Sequence, residues 1–158
     1  MKTATKLGIG AALLVAALGT SAGALAQTVN NCSAATAEDH TADVGTVVIQ
    51  FGAIGGTLKY SPNCIAVSPT TSIQFVPVAG TNFSGHPLVA GSVSGGTKFP
   101  DATSPITNQS SGTSQAAFTI ATPGVYGFYC NFHAVSFDMN GAIVVLSDDI
   151  FANGFEVP

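Results

Sequence analysis

The chain has no arginine, and only four lysines stand against eight carboxylates in its 158 residues. Two of those lysines, Lys2 and Lys6, fall in a segment expected to be removed. That leaves Lys59 and Lys98, and a net charge of −6 on the remainder. A surface so poor in cations repels phosphate backbones, so nucleic acid is not an expected partner. Helical periodicity is missing beyond Ala26, where no stretch repeats its apolar positions at helical spacing. There is no internal repeat and no change of composition regime, so the rest of the chain is expected to form one domain. No G-x-S-x-G and no paired acidic motif supplies a nucleophile or general base, so an enzyme is not expected. No Cys-x-x-Cys pair argues for structural zinc.

Residues 1–26 carry the marks of an export signal. Lys2 and Lys6 form a short basic region, Leu7 to Leu18 is apolar, and Ala24-Leu25-Ala26 is the small-x-small pattern of a cleavage site. The apolar run is short for a bilayer span. Cleavage is expected before Gln27, placing the protein in the periplasm or outside the cell with no membrane span left. An uncleaved anchor is the alternative.

An exported chain meets an oxidising compartment, where thiols pair. Three cysteines cannot all pair within one chain. Cys32 and Cys64 lie in the N-terminal half, whereas Cys130 lies in a segment crowded with His and Met. A Cys32–Cys64 disulfide and a free Cys130 are therefore expected. On the loop-closure model such a bridge contributes roughly 3–4 kcal/mol. A free thiol in that setting needs protection, which a metal supplies.

The mature chain reads as short strands between Gly, Pro and Ser turns: Gly45–Phe51, Cys64–Val67, Ser72–Val78, His86–Val93, Ala116–Ile120, Gly124–Cys130 and Ala142–Leu146. That pattern argues for an all-β sandwich or barrel. Ser94–Ser114 is too long for an ordinary loop and is expected to hold a short helix or an irregular strand. Ser147–Pro158 is an acidic tail with two Phe, expected to be surface-packed or frayed.

Cys130, His133 and Met139 place a thiol, an imidazole and a thioether within ten residues. Soft sulfur with imidazole selects copper or zinc over hard cations. One thiolate, two imidazoles and a weak axial thioether describe a type 1 copper site. The second imidazole must come from His40 or His86. His86 opens an apparent strand, whereas His40 sits in an acidic stretch and is expected to be an ordinary surface residue.

The segment PGVYGFYCNFH (Pro123–His133), the following M-x-G-x-I-x-V (Met139–Val145) and SGHPLV (Ser84–Val89) resemble the plastocyanin/azurin family of cupredoxins. The likeness spans residues 45–146. It implies a Greek-key β-sandwich of about seven or eight strands, with residues 27–146 as the cupredoxin domain. It also implies single-electron transfer through one copper ion on His86, Cys130, His133 and Met139. The family usually reads C-x2-H-x4-M, whereas this chain has five residues between His133 and Met139. Gly85 precedes His86 as a glycine does in azurins, which implies a backbone oxygen as a competing axial donor. Most relatives have Asn after the first His ligand, and its N–H bonds the Cys sulfur. Here Pro87 has no N–H, and the N–H of Phe132 is expected to replace it.

Pro87, Phe132, Ala134, Val135 and Phe137 flank the ligands and are expected to exclude water and to form a docking patch for redox proteins around His133. A monomer is expected. Two rival functions share these residues: a copper carrier or store without a relay role, and a metal-free adhesion or assembly module.

Overall fold

The computed structural model describes residues 27–112 and 115–147. The expected leader, and the acidic tail apart from Ser147, lie outside the described residues. Ten strands follow in order: β1 (Glu38–Asp39), β2 (Thr46–Ile54), β3 (Thr57–Ser61), β4 (Cys64–Val67), β5 (Ser72–Pro77), β6 (Leu88–Ser94), β7 (Thr97–Pro100), β8 (Ala116–Thr119), β9 (Gly124–Cys130) and β10 (Asn140–Val145). They form two sheets, ordered β1-β4-β10-β9-β6-β7 and β3-β2-β5-β8. This is the expected all-β sandwich, with more strands than the expected seven or eight.

Side-chain alternation drives the two sheets together. In β2, Val47, Ile49 and Phe51 point inward while Thr46, Val48 and Gln50 face out. Ile73 and Phe75 of β5 and Ile65 and Val67 of β4 bury in the same way. The centre is aromatic: Tyr60 and Phe75 each meet Phe128 edge-on, with ring centroids 4.9 Å apart. The Tyr60 hydroxyl is buried there with no hydrogen-bond partner among the described residues. An unsatisfied buried hydroxyl costs about 1–3 kcal/mol. Tyr60→Phe is therefore expected to raise stability by about 1 kcal/mol, read as a higher denaturant midpoint with unchanged slope. A lower midpoint would show that the hydroxyl is satisfied.

β10 is buried on both faces. Ile143 and Val145 enter the main core. Ala142 and Val144 lie on the outer face beneath Val29, Ala34 and Ala37 of the N-terminal segment. The Cys32–Cys64 disulfide pins that segment, and Cys130 is the one free cysteine, as expected. Gly127 is required by this covering: a Cβ there would run into the carbonyl of Gly91 and the side chain of Val29.

β4 and β9 have the expected limits. β6 begins at Leu88, so His86 lies in the loop before it. The long irregular stretch contains β7, an exposed edge strand paired with β6.

Candidate metal centre

β9 ends at Cys130, whose side chain is completely buried. Antiparallel pairing of β6 with β9 sets Leu88 opposite Cys130. The chain before Leu88 thus runs past the residues that follow Cys130, and the N–H of Asn131 donates to the Pro87 carbonyl at 2.8 Å. This register brings His86 to Cys130 across 44 residues. A tight turn completes the placement. Gly85 N–H donates to Asn82 Oδ1 at 3.1 Å, and His86 N–H donates to the Asn82 carbonyl at 3.0 Å. Buried Phe83 anchors the turn on Phe51, with ring centroids 4.6 Å apart.

His133 reaches the same point from the other side. Ala134 N–H donates to the Cys130 carbonyl at 3.0 Å, closing one helical turn after β9. Nδ1 of His133 lies 3.3 Å from Cys130 Sγ, and Nδ1 of His86 lies 3.9 Å from it. The three ligand atoms fall within 4.8 Å of one another, the one such group of His, Cys, Asp or Glu among the described residues. The two imidazole rings are 4.7 Å apart.

Met139 is wholly buried, and its carbonyl accepts the N–H of Cys130 at 2.9 Å. That bond returns the chain to the start of the loop despite the extra residue. The surplus length is taken up by a second turn, from Phe137 N–H to the His133 carbonyl at 3.0 Å, and by Asp138 in a left-handed conformation with φ of 51°. Aspartate tolerates that region better than most residues. Gly85 has neither a positive φ nor a crowded Cβ direction, so its backbone conformation does not demand glycine.

The donor chemistry fits copper. A thiol buried this deeply is pushed up by desolvation, which disfavours a thiolate. The backbone N–H groups of His133 and Phe132 beside the sulfur pull it down, with a smaller pull from Lys98. The expected influence of the Phe132 N–H is therefore felt at the sulfur, and His133 adds a second that the sequence did not disclose. Burial first, and then His133, pushes His86 down, favouring the neutral imidazole that ligates metals. His86, Cys130, His133 and Met139 are arranged as a type 1 copper site.

His40 stays outside the metal cluster, as expected, although its side chain is only 19% exposed, with Asp43 2.7 Å from Nδ1 and Glu38 3.2 Å from Nε2. The Glu38 contact is an ion-pair distance without hydrogen-bond alignment. Pro87 and Ala134 are buried and take no part in the outer surface. Phe132, Val135 and Phe137 are at least half exposed and form the apolar rim. Lys98, not singled out in the sequence, donates to the carbonyl of Asn131 at 2.7 Å and to its Oδ1 at 3.2 Å. Its placement depends on β7, whose existence the sequence left open.

The description "copper binding proteins, plastocyanin/azurin family" belongs to a family model that matches residues 47–146. Among solved structures, the chain is similar to oxidized plastocyanin from Dryopteris crassirhizoma (22% identity, 63% of this chain and 100% of that one, TM-score 0.43). It is similar to pseudoazurin from Methylobacterium extorquens AM1 (22% identity, 68% and 81%, TM-score 0.44). It is also similar to dithionite-reduced auracyanin from Roseiflexus castenholzii (21% identity, 66% and 98%, TM-score 0.44). No curated protein sequence matches the chain.

Proposed function

Because the chain belongs to the plastocyanin/azurin family of copper-binding proteins, we propose that it carries single electrons between redox partners outside the cytoplasm and is not an enzyme. The observation that supports this best is the convergence of one buried free thiol with two imidazole nitrogens. In this reading His86, Cys130, His133 and Met139 hold the metal, with the Gly85 carbonyl as a further weak donor. Bound copper would supply one-electron redox chemistry there.

The protein's own part is to keep the donors still and dry. Cys130 and the residues after His86 are locked by the β6–β9 ladder, and Met139 by its bond to Cys130 N–H. Donor positions set by the fold change little between oxidation states, which keeps reorganisation small. Buried Pro87, Ala134 and Phe83 close the site from below. Above it, the rings of Phe132 and Phe137 lie 6.4 and 5.7 Å from that of His133. This exposed rim fits a redox partner docking over His133, with the protein itself a monomer.

The test is the absorption spectrum and voltammetry of the copper(II)-loaded mature protein. An intense visible band with a reversible one-electron wave is expected. Colourless, tight copper(I) binding would assign the protein to copper carriage. Failure to bind copper stoichiometrically would assign it to the metal-free class.

The two backbone N–H groups beside the sulfur give a finer prediction. They draw electron density from the thiolate and so favour the reduced state. Phe132→Pro removes one of the two donors and is expected to lower the potential by on the order of 40 mV, the one-electron equivalent of about 1 kcal/mol. Voltammetry of the loaded variant checks this, and an unchanged potential refutes it.

A further inference from the structure

The N-terminal segment lies outside the residues that the family model covers, yet it reaches the back of the metal centre. Val29 and Cys32 exchange backbone hydrogen bonds at 2.9 Å around a two-residue turn. Both turn residues, Asn30 and Asn31, are left-handed, with φ of 52° and 61°. That is the pairing a tight hairpin turn requires, and asparagine suits it. The disulfide from Cys32 to Cys64 holds the turn on the outer face of the six-stranded sheet.

The turn aims the Asn30 side chain into the sheet, where the residue is only 9% exposed. Its Nδ2 donates to the carbonyls of Gly141 at 2.8 Å, Phe128 at 3.1 Å and Gly91 at 3.3 Å. Its Oδ1 accepts the Val93 N–H at 2.7 Å. An amide nitrogen has two hydrogens, so one is shared between two carbonyls. The contacts also fix which way the amide points, because a reversed amide would set its oxygen against three carbonyl oxygens.

These partners lie on three adjacent strands, each of which adjoins or carries a candidate ligand at its metal end. β6 follows His86, β9 ends at Cys130, and β10 begins directly after Met139. Phe128 is two residues before Cys130, Gly141 is two residues after Met139, and the two are cross-strand partners. We infer that Asn30 is a positioning residue of the metal centre, one amide on a disulfide-pinned strap that ties together the three strands leading to the ligands, at Phe128 and Gly141 close to the metal end and at Gly91 and Val93 farther along β6. The metal part of this inference rests on the copper reading. Removing the amide leaves buried backbone groups without that partner and lets the strand ends separate where the donors are mounted.

The experiment compares the mature protein with Asn30→Ala and with Asn30→Asp, which keeps the acceptor for Val93 and the turn but removes the donors. Val47→Ala, in the opposite sheet, serves as a control of similar thermal destabilisation. In the metal-free proteins, amide hydrogen exchange is read at Cys130 and Ala142, whose N–H groups bond Met139 and Asn63. In the loaded proteins, transfer of copper(I) to a chelator is timed. Both Asn30 variants are expected to speed exchange at these two amides and to release copper about tenfold to a hundredfold faster, with neither change in the control. If the Asn30 variants behave as Val47→Ala does, Asn30 serves stability alone and the inference is overturned. A wild type that fails to bind copper would overturn the copper reading, and the metal-free exchange would still decide whether the strap holds the strand ends.

Discussion

Cys130→Ser is expected to abolish the intense visible absorption of the copper(II) protein and to weaken copper(I) binding by more than about a hundredfold, well beyond the loss from an outer-shell change. Cys130 is the one free thiol, and it sits where the two imidazole nitrogens converge. A serine hydroxyl is a hard donor that stays protonated near neutral pH, so the soft anionic ligand is lost outright. The fold should survive. The replacement is close in size, and its oxygen meets the N–H groups of Phe132 and His133 that now serve the sulfur. The metal-free variant should therefore keep its circular dichroism spectrum and lose on the order of 1 kcal/mol. An intense band retained by the variant would remove Cys130 from the ligand set, and a variant that fails to fold would make the thiol chiefly a core residue.

Removing the disulfide, as Cys32→Ala with Cys64→Ala, should have the largest effect on stability. The bridge spans a sequence separation of 32 residues, for which loop closure gives about 3–4 kcal/mol. A domain of this size should then unfold roughly 10–15 °C lower. The loss would not be spread evenly. The bridge fastens the strap that covers Ala142 and Val144 and seats Asn30, so protection should fall first on the outer face of β10. Thermal unfolding with residue-resolved hydrogen exchange reads both effects. An unchanged melting temperature would mean that the strap holds without its bridge.

How far the sequence disclosed this architecture depended on range. Cys130 and His133 are three residues apart, so one turn brings them together and spacing alone exposed the pair. β4 and β9 were legible because each is a dense run of apolar residues ended by a turn. β3 was missed because Gly55 and Gly56 precede it and Lys59 interrupts its apolar residues. It exists through pairing with β2. β1 has two exposed residues and is a strand only because the edge of β4 receives it. His86 was singled out by elimination among three histidines and then by resemblance, but its approach to Cys130 rests on the β6–β9 register, which no local pattern encodes. Asn30 could not be found at all. Its partners are one N–H and three carbonyls, and every residue has a carbonyl. The burial of Pro87 and Ala134 was misread for a similar reason, since an apolar residue beside a ligand gives no sign of which side of the loop it faces.

The positions of the three cysteines along the chain also have a consequence in time. Cys32 and Cys64 belong to the N-terminal strap and β4, whereas Cys130 closes β9. If the chain is exported as proposed, N-terminus first into an oxidising space, Cys32 and Cys64 would meet each other while Cys130 is still to come. Both possible wrong partners of the third thiol would then be spent when it arrives, and the linear order of the sequence would protect the one sulfur that must stay reduced.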